Sequence, residues 1–193
     1  MSVTAEEIYG TYPYFLEPGA AELRRSGETR TRFLATGGMT GGAYAMIDET
    51  ASRGETVPLH RHAEDIESLY VIEGELSVYI DALPCHIAGP GAFAHFAPGT
   101  VHGFRVESET ARYLLLTTPR HGEFYRAISR PPCGPGEGPD EPVDEATVMR
   151  ACRDYAVEFI APFPEAGMGA GRGGPSSAAC PDPSSSPSPS PSH

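Results

Sequence analysis

Between Thr31 and Thr118 the chain reads as short apolar-rich bursts cut by glycine and proline, a rhythm of strands and tight turns. The pattern predicts strands near 32–36, 42–48, 56–62, 66–73, 75–80, 85–87, 92–96, 103–106 and 113–118. Alternation is only partial, as in Leu76-Ser77-Val78-Tyr79-Ile80, so strand spacing and turn count together carry the class. Breaks at Gly37-Gly38, Gly74, Gly89-Pro90-Gly91 and Pro98-Gly99 suit an all-β antiparallel sandwich or small barrel.

Outside this block the pattern changes. Residues 20–28 (AAELRRSGE) read as a short helical turn, and 121–129 as a short helix. Asp144 is placed to cap a helix beginning with Glu145, and the stretch 152–160 can finish as an extended strap. Residues 167–193 are mostly Gly, Ser and Pro, which offer little apolar surface to bury and predict a disordered tail. The expected organisation is an arm over 1–32, a barrel core over 33–120, a helix and strap over 121–166, and the tail.

Composition narrows the chemistry. The net charge of −12 and pI near 4.9 argue against nucleic acid or an anionic membrane surface as partner. All 14 basic residues are arginine, so no lysine can form a Schiff base or act as general base. No apolar run is long enough to span a bilayer, and the first residues lack a secretory pattern, so a soluble cytoplasmic protein is expected. Cys85, Cys133, Cys152 and Cys180 show no paired spacing and are expected to be reduced thiols.

The candidate chemistry lies in GETVPLHRHAEDIESLYVIEG, residues 54–74. In an extended strand His60 and His62 point to one face, and a turn at Gly74 can bring Glu67 back beside them. His102 opens a later strand after the Pro98-Gly99 turn. A lone histidine is ordinarily surface or satisfied core, but three imidazoles and a carboxylate suit a divalent transition metal: Fe, Ni, Mn, Co or Zn. His95 could face the same interior by alternation with Phe93, whereas His121 and His193 read as exposed. Glu64 and Asp65 read as a solvated loop, with a supporting role toward the imidazoles as the alternative. Arg61 and Arg105 point away from the ligand faces.

Gly54, His60, His62, Glu67 and Gly74 match G-x5-H-x-H-x4-E-x6-G at every fixed position, which resembles the first motif of the cupin superfamily. Gly91, Gly99 and His102 match the second motif; Ala97 and Val106 stand where proline and asparagine are usual. The resemblance implies a cupin jelly-roll β-barrel with a metal held inside by His60, His62, Glu67 and His102. YPYFLEPG, the HxHAxxxE form of the motif and RDYAVEFIAP further resemble bacterial single-domain quercetin 2,3-dioxygenases.

That narrower likeness implies a small-molecule flavonol-like or polyketide-like enol substrate, consumption of O2, and ring opening with loss of carbon monoxide. Glu67 would serve as general base as well as ligand. Tyr14, Phe15, Leu69, Val71, His95 and Phe104 are the expected pocket residues, with core packing as their ordinary alternative. A redox-neutral isomerase, cyclase or lyase, or a ligand-binding cupin without catalysis, would use the same frame. Exposed barrel edges leave room for a homodimer.

Overall fold

The computed structural model describes residues 13–81, 83–133 and 141–164. Its strands are β1 (Glu22–Ser26), β2 (Thr29–Ala35), β3 (Ala45–Ser52), β4 (Thr56–His62), β5 (Glu67–Glu73) and β6 (Leu76–Ile80). They continue as β7 (His86–Ala88), β8 (Phe93–Phe96), β9 (His102–Val106), β10 (Thr110–Thr117) and β11 (Val157–Ala161). Two helices, α1 (Pro119–Ala127) and α2 (Glu145–Asp154), lie between β10 and β11.

The strands form two antiparallel sheets, a six-stranded one ordered β1-β2-β3-β10-β5-β8 and a five-stranded one ordered β11-β4-β9-β6-β7. Neighbours in sequence are therefore often on different sheets, as a jelly roll requires. Alternation decides what faces in: along β5, Glu67, Leu69 and Val71 are fully buried while Tyr70 is outside. Ile47, Leu69, Val71, Leu76, Phe104 and Leu115 meet between the sheets, each contributing roughly 1.5–3 kcal/mol by burial.

Gly74 turns β5 into β6 with φ +78°, and a side chain there would run into Thr110 O and Ser108 Oγ. Both its conformation and its surroundings therefore demand glycine.

Several expected elements shift. Residues 20–28 are not a helical turn but a hairpin, with Leu23 opposite Arg32 and Ser26 opposite Thr29. Pairing with β2 satisfies a backbone that a single helical turn would leave mostly unbonded. The strand expected from 42 begins at Ala45, because Thr40 Oγ1 ties residues 36–44 into a turn. The expected boundaries at 32 and 120 fall inside β2 and α1.

Thr118 caps α1 with Pro119 in its first turn, and Asp144 caps α2 by accepting from Thr147 N at 2.9 Å. The strap after α2 becomes β11, which pairs with β4. Arg61 bonds Glu158 at 2.7 Å and Arg105 bonds Glu107 at 2.8 Å, both away from the interior histidines. Cys133 and Cys152 are free, but Cys85 is disulfide-bonded, contrary to the expectation of reduced thiols throughout. No helix among the described residues is long and apolar enough to cross a membrane. The expected tail lies outside the described residues.

Candidate metal centre

His60 and His62 sit two apart on β4 and share its buried face, with Arg61 exposed between them. In the register of β4 with β9, His60 stands directly opposite His102, and their rings lie 4.3 Å apart. Gly103 permits this close approach: a Cβ there would come within 2.7 Å of Val57 O. Glu67 enters from the facing sheet at the start of β5. All four side chains are buried, and one ligand atom from each lies within 4.8 Å of every other.

The histidine tautomers follow from their backbone partners. Each Nδ1 lies against a carbonyl oxygen: His60 against Pro58 at 3.0 Å, His62 against Asp65 at 2.7 Å, His102 against Thr100 at 2.9 Å. A carbonyl only accepts, so each Nδ1 carries the hydrogen and each Nε2 presents a lone pair. The Nε2 atoms of His62 and His102 are buried with no hydrogen-bond partner among the described residues. An orphaned buried acceptor costs about 1–3 kcal/mol, and this structure has two converging on one point. A divalent cation would satisfy both, so the residues fit a metal.

The electrostatics of His60 and His102 agree with that donor set. Burial lowers the pKa of His60 and takes His102 down to about 4, which keeps both rings neutral near pH 7. Burial also works against a charge on His62, but Glu67 outweighs it and raises the pKa. At 3.6 Å the His62 Nε2–Glu67 Oε2 pair is too long for a hydrogen bond, so this attraction is Coulombic. Burial would push Glu67 upward, yet the surrounding imidazoles, His121 foremost, hold its carboxyl well below the usual range.

The cupin-domain family model matches residues 49–117, a span containing all four of these residues. The chain carries a cupin domain. Among curated proteins it is similar to quercetin 2,3-dioxygenase of Bacillus subtilis strain 168, at 27% identity over 133 residues. That alignment takes in 65% of this chain and 39% of the relative, so the chain spans well under half of that protein's length. Among solved structures, an RmlC-like cupin from Shewanella frigidimarina is 18% identical with a TM-score of 0.51, covering 58% of this chain and 96% of that one. KdgF from a Halomonas species is 16% identical with a TM-score of 0.50, covering 56% and 94%. Both structures share the fold.

Glu67 is gripped from outside the barrel strands. His121 Nε2, on α1, donates to Glu67 Oε2 at 2.9 Å, and Tyr125 OH lies 3.4 Å from Oε1. The expectation that His121 is exposed is therefore wrong: it is 0% exposed and stacked on Phe124. His121, Phe124 and Tyr125 follow the i, i+3, i+4 spacing of one helix face, and that periodicity was the available signal. Asp65 is likewise no solvated loop residue. Its carbonyl orients His62, and its carboxylate accepts from Thr118 Oγ1 at 2.6 Å and Arg120 at 3.1 Å. Glu64 is exposed and pairs with Arg120.

A cavity of about 310 Å³ opens onto His60. Thr31, Glu49 and Tyr113 line it from the six-stranded sheet, and Phe124, Tyr125 and Met149 from the helices. None of the six expected pocket residues lines it. Leu69, Val71 and Phe104 do face inward but are packed into the core, because β5 and β9 are inner strands covered by the opposite sheet. Phe15 is 80% exposed, and Tyr14 donates its hydroxyl to Leu34 O at 3.0 Å. His95 is exposed and contacts Ser68 Oγ through Nδ1 at 2.9 Å.

The sequence gives no sign of Glu49's place, because Asp48-Glu49-Thr50 resembles a polar turn. In β3, Ile47, Glu49 and Ala51 face inward while Asp48 pairs with Arg112. Glu49 accepts from Thr31 Oγ1 at 2.7 Å and Tyr113 OH at 3.1 Å. Burial raises its pKa to about 7 against the pull of those two hydrogen bonds.

Proposed function

We propose that this cupin is a metal-dependent dioxygenase of the quercetin 2,3-dioxygenase type, acting on a neutral flavonol-like or polyketide-like enol. The observation that carries the reading is the set of buried donors around His60, His62, Glu67 and His102, beside an apolar-walled cavity that His60 enters. The similarity to the Bacillus quercetin 2,3-dioxygenase supports the reaction class. The cavity supports the substrate class. Its described lining includes Glu49 and Glu55 and no arginine, so a multiply anionic substrate would find no side-chain cation there.

A divalent transition metal held by His60, His62, Glu67 and His102 would supply Lewis acidity, lowering the pKa of an enol hydroxyl brought to it. The chain's own residues do the rest. Glu67 accepts the enol proton on a carboxylate oxygen, as general base. His121 and Tyr125 fix the carboxylate's orientation, so reorganisation during proton transfer is small. The carbonyls of Pro58, Asp65 and Thr100 keep all three imidazoles in the Nδ1–H tautomer. Phe124, Val157 and Phe159 give the cavity an apolar wall that can receive a planar ring.

The test is oxygen uptake by metal-reconstituted protein given quercetin, with carbon monoxide measured in parallel. Coupled uptake and release is the expected result. Turnover of the enol without oxygen uptake would replace this reading with a redox-neutral one. Thermal stabilisation by ligand without turnover would leave a binding protein.

A further inference from the structure

Glu49 is a buried ionisable group that the proposed chemistry leaves without work. It is 5% exposed, stands on the middle of β3, and faces the same cavity as His60 from the opposite sheet. Its register neighbours are Thr31 on β2 and Tyr113 on β10, and both turn their hydroxyls onto its carboxylate. No arginine or histidine donates to it among the described residues; the other charges acting on it are the carboxylates of Glu67 and Glu55. A buried carboxylate held by two hydroxyls and facing like charge is costly. The core around it is apolar, and Ile47 and Ala51 occupy equivalent inward positions on the same strand.

Packing thus gives no reason for a glutamate at 49. The cavity does. A carboxylate accepts through two oxygens with about four lone-pair sites, and Thr31 and Tyr113 occupy one on each oxygen. The remaining acceptor capacity lies beside a space walled chiefly by aliphatic and aromatic side chains. There a hydroxyl brought by a ligand meets little competition from water.

We propose that Glu49 is the recognition group of this cavity, accepting a hydrogen bond from a substrate hydroxyl other than the one directed to the metal centre. The preferred ligand is then a neutral ring compound carrying at least two hydroxyls, gripped between the two sheets. Thr31 and Tyr113 are positioning residues that hold the carboxylate toward the cavity. The burial that raises the pKa of Glu49 also makes it a stronger partner for a phenolic hydroxyl, because donor and acceptor acidities draw closer. This inference rests on the reading of the cavity as the substrate pocket. It does not depend on whether dioxygen is consumed.

The experiment compares two probes on the metal-loaded protein, quercetin, which is polyhydroxylated, and 3-hydroxyflavone, which keeps only the enol hydroxyl. Dissociation constants are measured for wild type, Glu49→Gln and Tyr113→Phe, with metal content and melting temperature as checks on folding. Wild type should bind quercetin roughly 10-fold or more tightly than 3-hydroxyflavone, the size of one charge-assisted hydrogen bond. Glu49→Gln should bring that ratio to within about threefold of unity while 3-hydroxyflavone binding stays near wild type, since an amide accepts more weakly than a carboxylate. Tyr113→Phe, which removes one of the two hydroxyls holding the carboxylate, should lower the preference for quercetin only in part.

An unchanged ratio in Glu49→Gln overturns the inference, even if the enzyme turns over normally. An altered ratio in protein that never consumes oxygen upholds the recognition role and rejects the dioxygenase reading. Failure of wild type to bind either probe overturns both.

Discussion

Glu67 and Glu49 project from the same sheet into the same interior, separated only by the intervening strand β10, yet their surroundings make them opposite kinds of acid. Glu67 lies among imidazoles, and its carboxyl is held well below the usual range. Glu49 lies among hydroxyls, and burial lifts it to about 7. One site is arranged to keep an anion where a cation would sit. The other keeps a carboxylate close to neutrality beside an apolar cavity. Residue type is common to both, so environment alone sets the difference.

The contrast can be broken most forcefully at Glu67. Glu67→Gln should retain part of the metal but lose turnover by roughly 100- to 10,000-fold, the range for removing a general base. Steady-state oxygen uptake on matched, metal-loaded samples checks this, and near-normal activity would deny the base role. A step outward, His121→Leu removes the hydrogen bond to Glu67 Oε2 while filling similar space against Phe124. Metal affinity or kcat should fall by about 10- to 100-fold, as for other partners that orient ligands. Competition with a chelator reads the affinity directly.

Next comes the pH dependence of stability in metal-free protein. A carboxylate raised from 4.5 to about 7 binds more protons folded than unfolded across that interval, so its contribution falls as pH rises from about 4.5 to 7. Glu67 has the opposite sign: its contribution is present above the unfolded pKa and is lost as pH drops toward its depressed folded value. Glu49→Gln should therefore remove a loss on the order of 3 kcal/mol between pH 4.5 and 7, since each tenfold change in proton affinity is worth about 1.4 kcal/mol. Denaturant melts at several pH values would show the flattened profile.

The smallest effect sharpens the same point. Tyr113→Phe deletes one of the bonds that favour the ionised carboxylate, so the decline should extend to higher pH, with a cost of about 1 kcal/mol at neutral pH.

How much of this was legible in the chain depends on what each residue's neighbours are. His60, His62 and Glu67 lie within one motif, and alternation on a strand is enough to aim the two histidines together. His102 needed only its own turn and glycine. The barrel followed from regular turns at Gly74, Gly89-Pro90-Gly91 and Pro98-Gly99. Glu49 was invisible because its face depends on the phase of β3, which the polar run Asp48-Glu49-Thr50 obscures. The burial of His121 is not legible in the chain because burial of α1 is decided by docking on the barrel, a tertiary event. Of the expected pocket residues, Leu69, Val71 and Phe104 lie on the inner strands β5 and β9, whereas the cavity is lined from the helices and from β11, whose place depends on long-range pairing with β4.

The central claim is that the four converging side chains hold one metal. Elemental analysis of wild type and His102→Ala, each stripped with chelator, reloaded and desalted, tests it most directly. Wild type should carry about one divalent transition metal per chain, and His102→Ala less than about a tenth of that with its fold retained by circular dichroism. Equal metal content in the two proteins would contradict the account.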